Sequence, residues 1–153
     1  MIRGQSPKAA RCGRRFLDAL AAAGAAGTAF LLAGGDDAYL LTDPDPAKAA
    51  AAMPPGRSAC WRGLPASVLQ ELLITGLWGI QDAELSVRVV HHDPSAALRE
   101  ADAVPGGTAV ICCPLSIADI YAVAALGEKV PRKSTSFRPK PRVGLVVRTF
   151  AQG

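Results

Sequence analysis

The chain has 153 residues, 50% hydrophobic and 20% charged, with 17 basic against 13 acidic side chains for a net charge of +4. That length supports one domain with ample apolar material for a core, and it excludes a disordered or tail-like chain. The 4 cysteines are too sparse for a disulfide scaffold.

The charge is unevenly divided: residues 1–15 carry +5, residues 16–128 carry −8 with every acid of the chain, and residues 129–153 carry +7. An acidic body with two basic ends is not the basic face that nucleic-acid binding needs, so nucleic acid is disfavoured as a partner. The organisation expected is a basic N-terminal segment, 1–15, followed by a single domain over 16–150. Arg14-Arg15-Phe16-Leu17 before an Ala-rich run resembles a twin-arginine export signal. The residue usual between the arginine pair and Phe-Leu is missing, Asp18 interrupts, and Ala and Gly are weakly apolar. The expectation is therefore a cytoplasmic chain with no membrane partner.

In chain order, residues 8–23 have helical spacing, with Phe16, Leu17 and Leu20 as the apolar stripe and Gly24 and Gly27 as terminators. Thr28 to Ala33 reads as a buried strand, and Gly34-Gly35-Asp36-Asp37 as a hairpin turn into a second strand, Ala38 to Thr42. Pro44, Pro46, Pro54, Pro55 and Gly56 bracket a short Ala-rich stretch that reads as a linker-like surface excursion. Pro65 opens a helix over 65–78 whose stripe is Val68, Leu69, Leu72, Leu73 and Leu77. Leu85 to Val90 alternates like a strand. Asp93-Pro94 caps and starts a helix over 94–103 with Leu98 inward.

Gly106-Gly107 turns into a strand, Thr108 to Cys113. Ser116 and Asp119 form a capping box for a helix with Ile117, Ile120, Val123 and Ala124 inward, closed by Gly127. A basic, proline-bracketed loop and a final strand, Val143 to Phe150, complete the chain. These elements predict a single α/β or α+β layered domain with a mixed sheet and helices packed on it. Gly27 to Leu32 and Gly107 to Cys112 echo each other, each an Ala-rich helix turning through glycine into an apolar strand.

Few residues invite chemistry. His91 and His92 are adjacent and precede Asp93, but neighbours on a strand face opposite ways and Asp93 is needed as a cap; no metal is expected. Cys112 and Cys113 are vicinal, Cys12 and Cys60 isolated, and all four read as small core residues. The informative stretch is Val130 to Gly144, where cations, three hydroxyls, Phe137 and stiffening prolines share one loop. Lys133, Ser134, Thr135, Lys140 and Arg142 form a candidate anion-binding set, because charge plus hydroxyl donors on a rigid backbone suits phosphate. The upstream glycines of a P-loop are missing, and a solvated connector has the same composition.

At this loop a family resemblance emerges. Leu64-Pro-Ala-Ser-Val-Leu-Gln-Glu71, Gly127-Glu-Lys-Val-Pro-Arg-Lys-Ser-Thr-Ser-Phe-Arg-Pro-Lys140 and Gly144-Leu145-Val146 resemble the C-terminal half of the domain of unknown function 1015 family of bacteria and archaea. Arg138 departs from it, standing where many members have an aromatic residue or glycine. Members are longer and carry upstream a Gly-His-His-Arg-type motif similar to that of a nucleotide-handling group that includes free-serine kinases. His91-His92 are followed by Asp-Pro and are not its equivalent. The resemblance implies a separated or truncated half of a phosphotransferase-like protein, inactive by itself. A nucleotide is then the candidate cofactor, a small anion the candidate ligand, and the missing N-terminal half or a second copy the candidate partner. The alternative is a non-catalytic interaction module.

Overall fold

The computed structural model describes residues 3–5, 14–35, 37–81 and 86–136. Helix α1 (Arg14–Ala26) buries Leu20 and turns Phe16 and Ala23 toward the same cluster. It runs through Gly24, which sequence spacing makes a terminator. A Cβ at Gly24 would collide with the Cys113 sulfur, so this glycine serves close approach rather than termination.

Strands β2 (Ala29–Gly34) and β3 (Asp37–Thr42) pair antiparallel from Ala29↔Thr42 to Gly34↔Asp37. That register leaves a two-residue turn in which Gly35 takes φ +57°, as the glycine-rich sequence predicts. Strand β1 (Arg3–Gln5), from the basic N-terminal segment, pairs with β3, and β4 (Thr108–Cys112) pairs with β2. The order is β1-β3-β2-β4, and every described pairing is antiparallel rather than mixed. The chain between β3 and β4 passes over both faces of the sheet and re-enters from the opposite end. Alternation of helices and strands along the sequence does not fix that direction. The two echoing segments thus become neighbouring antiparallel strands, β2 and β4.

Period-two alternation on β2 divides the core between the two faces. Ala29, Leu31 and Ala33 join Ala38 and Leu20 in one cluster, with Leu98 against it. Phe30 enters the other cluster with Met53, Trp61, Leu64, Val68, Leu72, Leu73 and Val123. Helices cover both faces, and the protein is a mixed α/β domain.

The linker-like stretch is part of that packing. Helix α2 (Pro46–Ala52) is capped by Asp45, whose carboxylate accepts the N–H groups of Ala47 at 2.9 Å and Lys48 at 3.2 Å. Ala49 and Ala52 lie on the Phe30 cluster. Small alanines are strong helix formers that let a helix approach closely, and the prolines here bound a helix instead of marking a linker. Helix α3 (Ala59–Arg62) follows, capped by Ser58.

The 65–78 span is helical in two windings. Helix α4 (Pro65–Val68) passes directly into α5 (Leu69–Leu77), which is wound as a π-helix. The wide winding continues at its end, where the Trp78 N–H donates to the Leu73 carbonyl five residues back at 2.9 Å. Extra residues per turn carry Leu77 off the expected stripe, leaving it 66% exposed while Leu72, Leu73 and Ile74 stay buried.

The strand expected over 85–90 does not form: residues 87–90 pair with no strand, and Arg88 instead meets Glu100 at 2.7 Å. Residues 82–85 lie outside the described residues. Alternation shows that a segment can sit in a sheet, but the ladder needs a distant partner strand, and residues 87–90 have none among the described residues. Helix α6 (Pro94–Asp102) starts at Asp93, which accepts the Ala96 N–H at 2.9 Å. At Gly107 a Cβ would run into the Ala101 carbonyl, so the return into β4 requires glycine.

Helix α7 (Ile117–Ala125) has the expected capping box between Ser116 and Asp119. Its inward face is narrower than expected. Val123 is fully buried and Ile120 half-buried, while Ile117 is 72% exposed and Ala124 is exposed. The helix packs against α3, which is only 4 residues long. No helix among the described residues is long and apolar enough to cross a membrane.

Candidate functional site

The basic loop is rooted by a helix terminus and two long-range clamps. Helix α7 ends in a Schellman arrangement: Gly127, at φ +71°, donates to the Ala124 carbonyl at 2.9 Å, and the Glu128 N–H donates to the Val123 carbonyl at 3.2 Å. Glu128 then reaches α3, where both carboxylate oxygens accept the Ser58 N–H, at 3.2 and 3.3 Å. Arg57 lies 3.8 Å from the same carboxylate. One residue on, the Lys129 carbonyl accepts the Trp61 indole N–H at 3.1 Å. The Arg57 guanidinium sits 4.7 Å above the Trp61 ring, a cation–π contact that completes the clamp.

Hydrogen bonding from the Ser58 side chain holds the Glu128 carboxyl below its ordinary value against the opposing effect of burial, with further lowering from the Ser58 N–H and the Arg57 charge. A carboxyl depressed by folding stabilises the fold above its unfolded value, about 4.3, and loses that contribution as pH falls through the folded value. Glu128→Gln is expected to lower Tm at pH 7 and to lower it progressively less as pH falls below the ordinary carboxylate range. Parallel melting curves for the two proteins across that range would contradict the clamp.

Beyond Val130, which packs on the Phe30 cluster, Pro131 to Ser134 form a tight turn. The Ser134 N–H and hydroxyl both donate to the Pro131 carbonyl, at 3.3 and 2.6 Å. Lys133 takes φ +56°, a left-handed position that a type II turn requires and lysine seldom adopts. Lys133 and Thr135 are exposed, whereas the Ser134 proton is directed into the turn. Lys140 and Arg142 lie outside the described residues, as do Phe137, Cys12 and the strand expected over 143–150.

Sequence reasoning overlooked Arg57, Ser58 and Trp61. Ser58 ahead of Ala-Cys-Trp-Arg carries a legible capping signal, but Glu128 is 70 residues away, and no local pattern joins them.

The cysteine expectation needs correction. Cys60, on α3, and Cys112, the last residue of β4, are both exposed. Cys113 packs against the Leu31 cluster, with its sulfur 3.6 Å from the Leu20 carbonyl; burial raises its thiol pKa and makes it a poor nucleophile. His91 and His92 are exposed, with ring centroids 6.0 Å apart. Asp93 is engaged as the α6 cap, 3.7 Å from Arg99.

No family model, curated protein or solved structure matches this chain. The resemblance to the domain of unknown function 1015 family therefore rests on the quoted motifs alone.

Proposed function

We propose that the chain is an anion-binding half-site of a phosphotransferase-like protein, acting through its basic loop and not catalytic by itself. The observation that supports this is the double clamp of Glu128 on Ser58 and of Trp61 on Lys129, which anchors the turn that presents Lys133 and Thr135 to solvent. Anchoring lowers the ordering cost of gripping a phosphate or carboxylate, and Lys140 and Arg142 add charge to the set in sequence. Free thiols at Cys60, Cys112 and Cys113 suit a reducing, cytoplasmic setting.

A thermal-shift panel with phosphate, ADP, ATP and phosphoserine tests the reading. At about 100 times Kd a bound anion contributes roughly 2.7 kcal/mol, which raises Tm by roughly 5–10 °C at this size. Lys133→Ala is expected to remove most of that rise. No shift with any of the four, or an equal shift in the variant, would defeat the proposal.

A second reading, an interaction module, draws on α7. Its sequence contains one charged residue, Asp119, yet Ile117 and Tyr121 are more than 70% exposed, and Leu126 just beyond its end is 57% exposed. A helix that is apolar on nearly all sides is usually covered on nearly all sides. Association with a second copy or with a missing half would bury this face, and Tyr121→Lys would abolish it in light scattering. A monomer at all concentrations would exclude the second copy.

A further inference from the structure

A depression distinct from the basic loop opens between the β2–β3 hairpin, the start of α2 and the π-helix α5, with a volume of about 260 Å³. Phe30 and Leu41 supply sheet residues, and Leu72, Leu73 and Leu77 supply the opposite wall. Leu77 stands at the lip, 66% exposed, because the wide winding of α5 carries it out of the core stripe. Helical segments of this winding are frequent at functional sites. The rim is polar: Thr42, Asp45 and Lys48 border the apolar interior.

The rim reaches its place through strained backbone. Asp43, between Thr42 and Pro44, takes φ +52°, a left-handed conformation that is rare for a residue preceding proline. Asp45 and Lys48 bring one negative and one positive charge to the rim, and neither is in an ion pair among the described residues. Both border the same depression, and the Asp45 carboxylate accepts the Lys48 backbone N–H at 3.2 Å, which fixes the carboxylate beside the first turn of α2.

We propose that this depression binds a free apolar amino acid. Its side chain would lie against Phe30, Leu41, Leu72 and Leu73, with its carboxylate toward Lys48 and its ammonium toward Asp45. Charge complementarity selects a zwitterion, because a simple fatty acid would set its carboxylate beside Asp45 and an amine its ammonium beside Lys48. At about 260 Å³ the depression is smaller than the roughly 300–1,000 Å³ of pockets for drug-sized ligands, which restricts it to a small ligand.

Calorimetric titration of the full chain with leucine and phenylalanine tests the proposal. The comparison ligands are 4-methylpentanoate, which lacks the ammonium, and 3-methylbutylamine, which lacks the carboxylate. The amino acids are expected to bind, and each single-charge analogue to bind roughly 10- to 100-fold more weakly, the loss of one charged hydrogen bond. Lys48→Gln and Asp45→Asn should weaken leucine by a similar factor; asparagine preserves the helix cap, so Asp45→Asn keeps the fold. Leu77→Gln, at an exposed lip position, should weaken it without changing Tm. Absence of binding by both amino acids at millimolar concentration, equal binding by the analogues, or unchanged affinity in Lys48→Gln and Leu77→Gln would each overturn the proposal. Lys133→Ala should leave leucine binding intact, which separates this site from the anion loop.

Discussion

Replacing Trp61 by alanine is expected to destabilise the protein by about 3–5 kcal/mol, the usual cost of removing a large buried aromatic side chain. Trp61 is 4% exposed and shares its cluster with Phe30, Met53, Leu64, Val68, Leu72, Leu73 and Val123. At this chain length the loss lowers Tm by roughly 6–20 °C, measurable by circular dichroism or calorimetry. Trp61→Phe separates the two roles of the indole. The smaller ring keeps most of the apolar packing but cannot donate to the Lys129 carbonyl, a loss of about 1 kcal/mol. It should therefore reduce the anion-dependent thermal shift more than it reduces Tm. If phenylalanine leaves that shift untouched, the clamp on Lys129 does not position the basic turn; if alanine leaves Tm untouched, the cluster is not the core.

Leu31→Ala is expected to have a comparable effect through the other face of the sheet. Leu31 is fully buried on the interior strand β2, opposite Leu40 on β3 and Ile111 on β4. Its buried neighbours Ala29, Ala33 and Ala38 are too small to relax into the space it would leave. The cost should lie in the upper part of the range of about 2–5 kcal/mol for Leu→Ala, with Tm lowered by roughly 10 °C or more. Leu31→Met, which conserves volume, should cost less than about 1.5 kcal/mol. Equal effects of Ala and Met would indicate disruption of the strand itself and not an unfilled cavity.

Part of the candidate site was legible because its chemistry is compositional. Lys133, Ser134 and Thr135 mark a basic loop by residue type alone, and the structure places Lys133 and Ser134 in one turn with Thr135 just beyond it. The attachment of that turn was not legible, since Ser58 and Trp61 meet Glu128 and Lys129 only after the chain has formed β4 and α7. Nor was the depression beside α5, whose shape depends on a π winding and on the approach of α2 to the hairpin. The Ser134 hydroxyl illustrates the same limit: sequence counts it as a donor for an anion, while the folded turn directs it to Pro131.

The sequence by itself determined the features whose partners lie within two to five residues. These include the Gly35 hairpin turn, the Asp93 and Ser116 caps, the first-turn proline of α4 and the Schellman end of α7 at Gly127. Such signals are satisfied locally and need no knowledge of the rest of the chain. Only the tertiary structure decided that residues 87–90 pair with no strand, that Ile117 faces outward, and that the proline-bracketed alanines pack on the core. Pairing and burial are relations between distant segments: an apolar pattern states which residues can be buried, and the neighbouring elements decide which of them are.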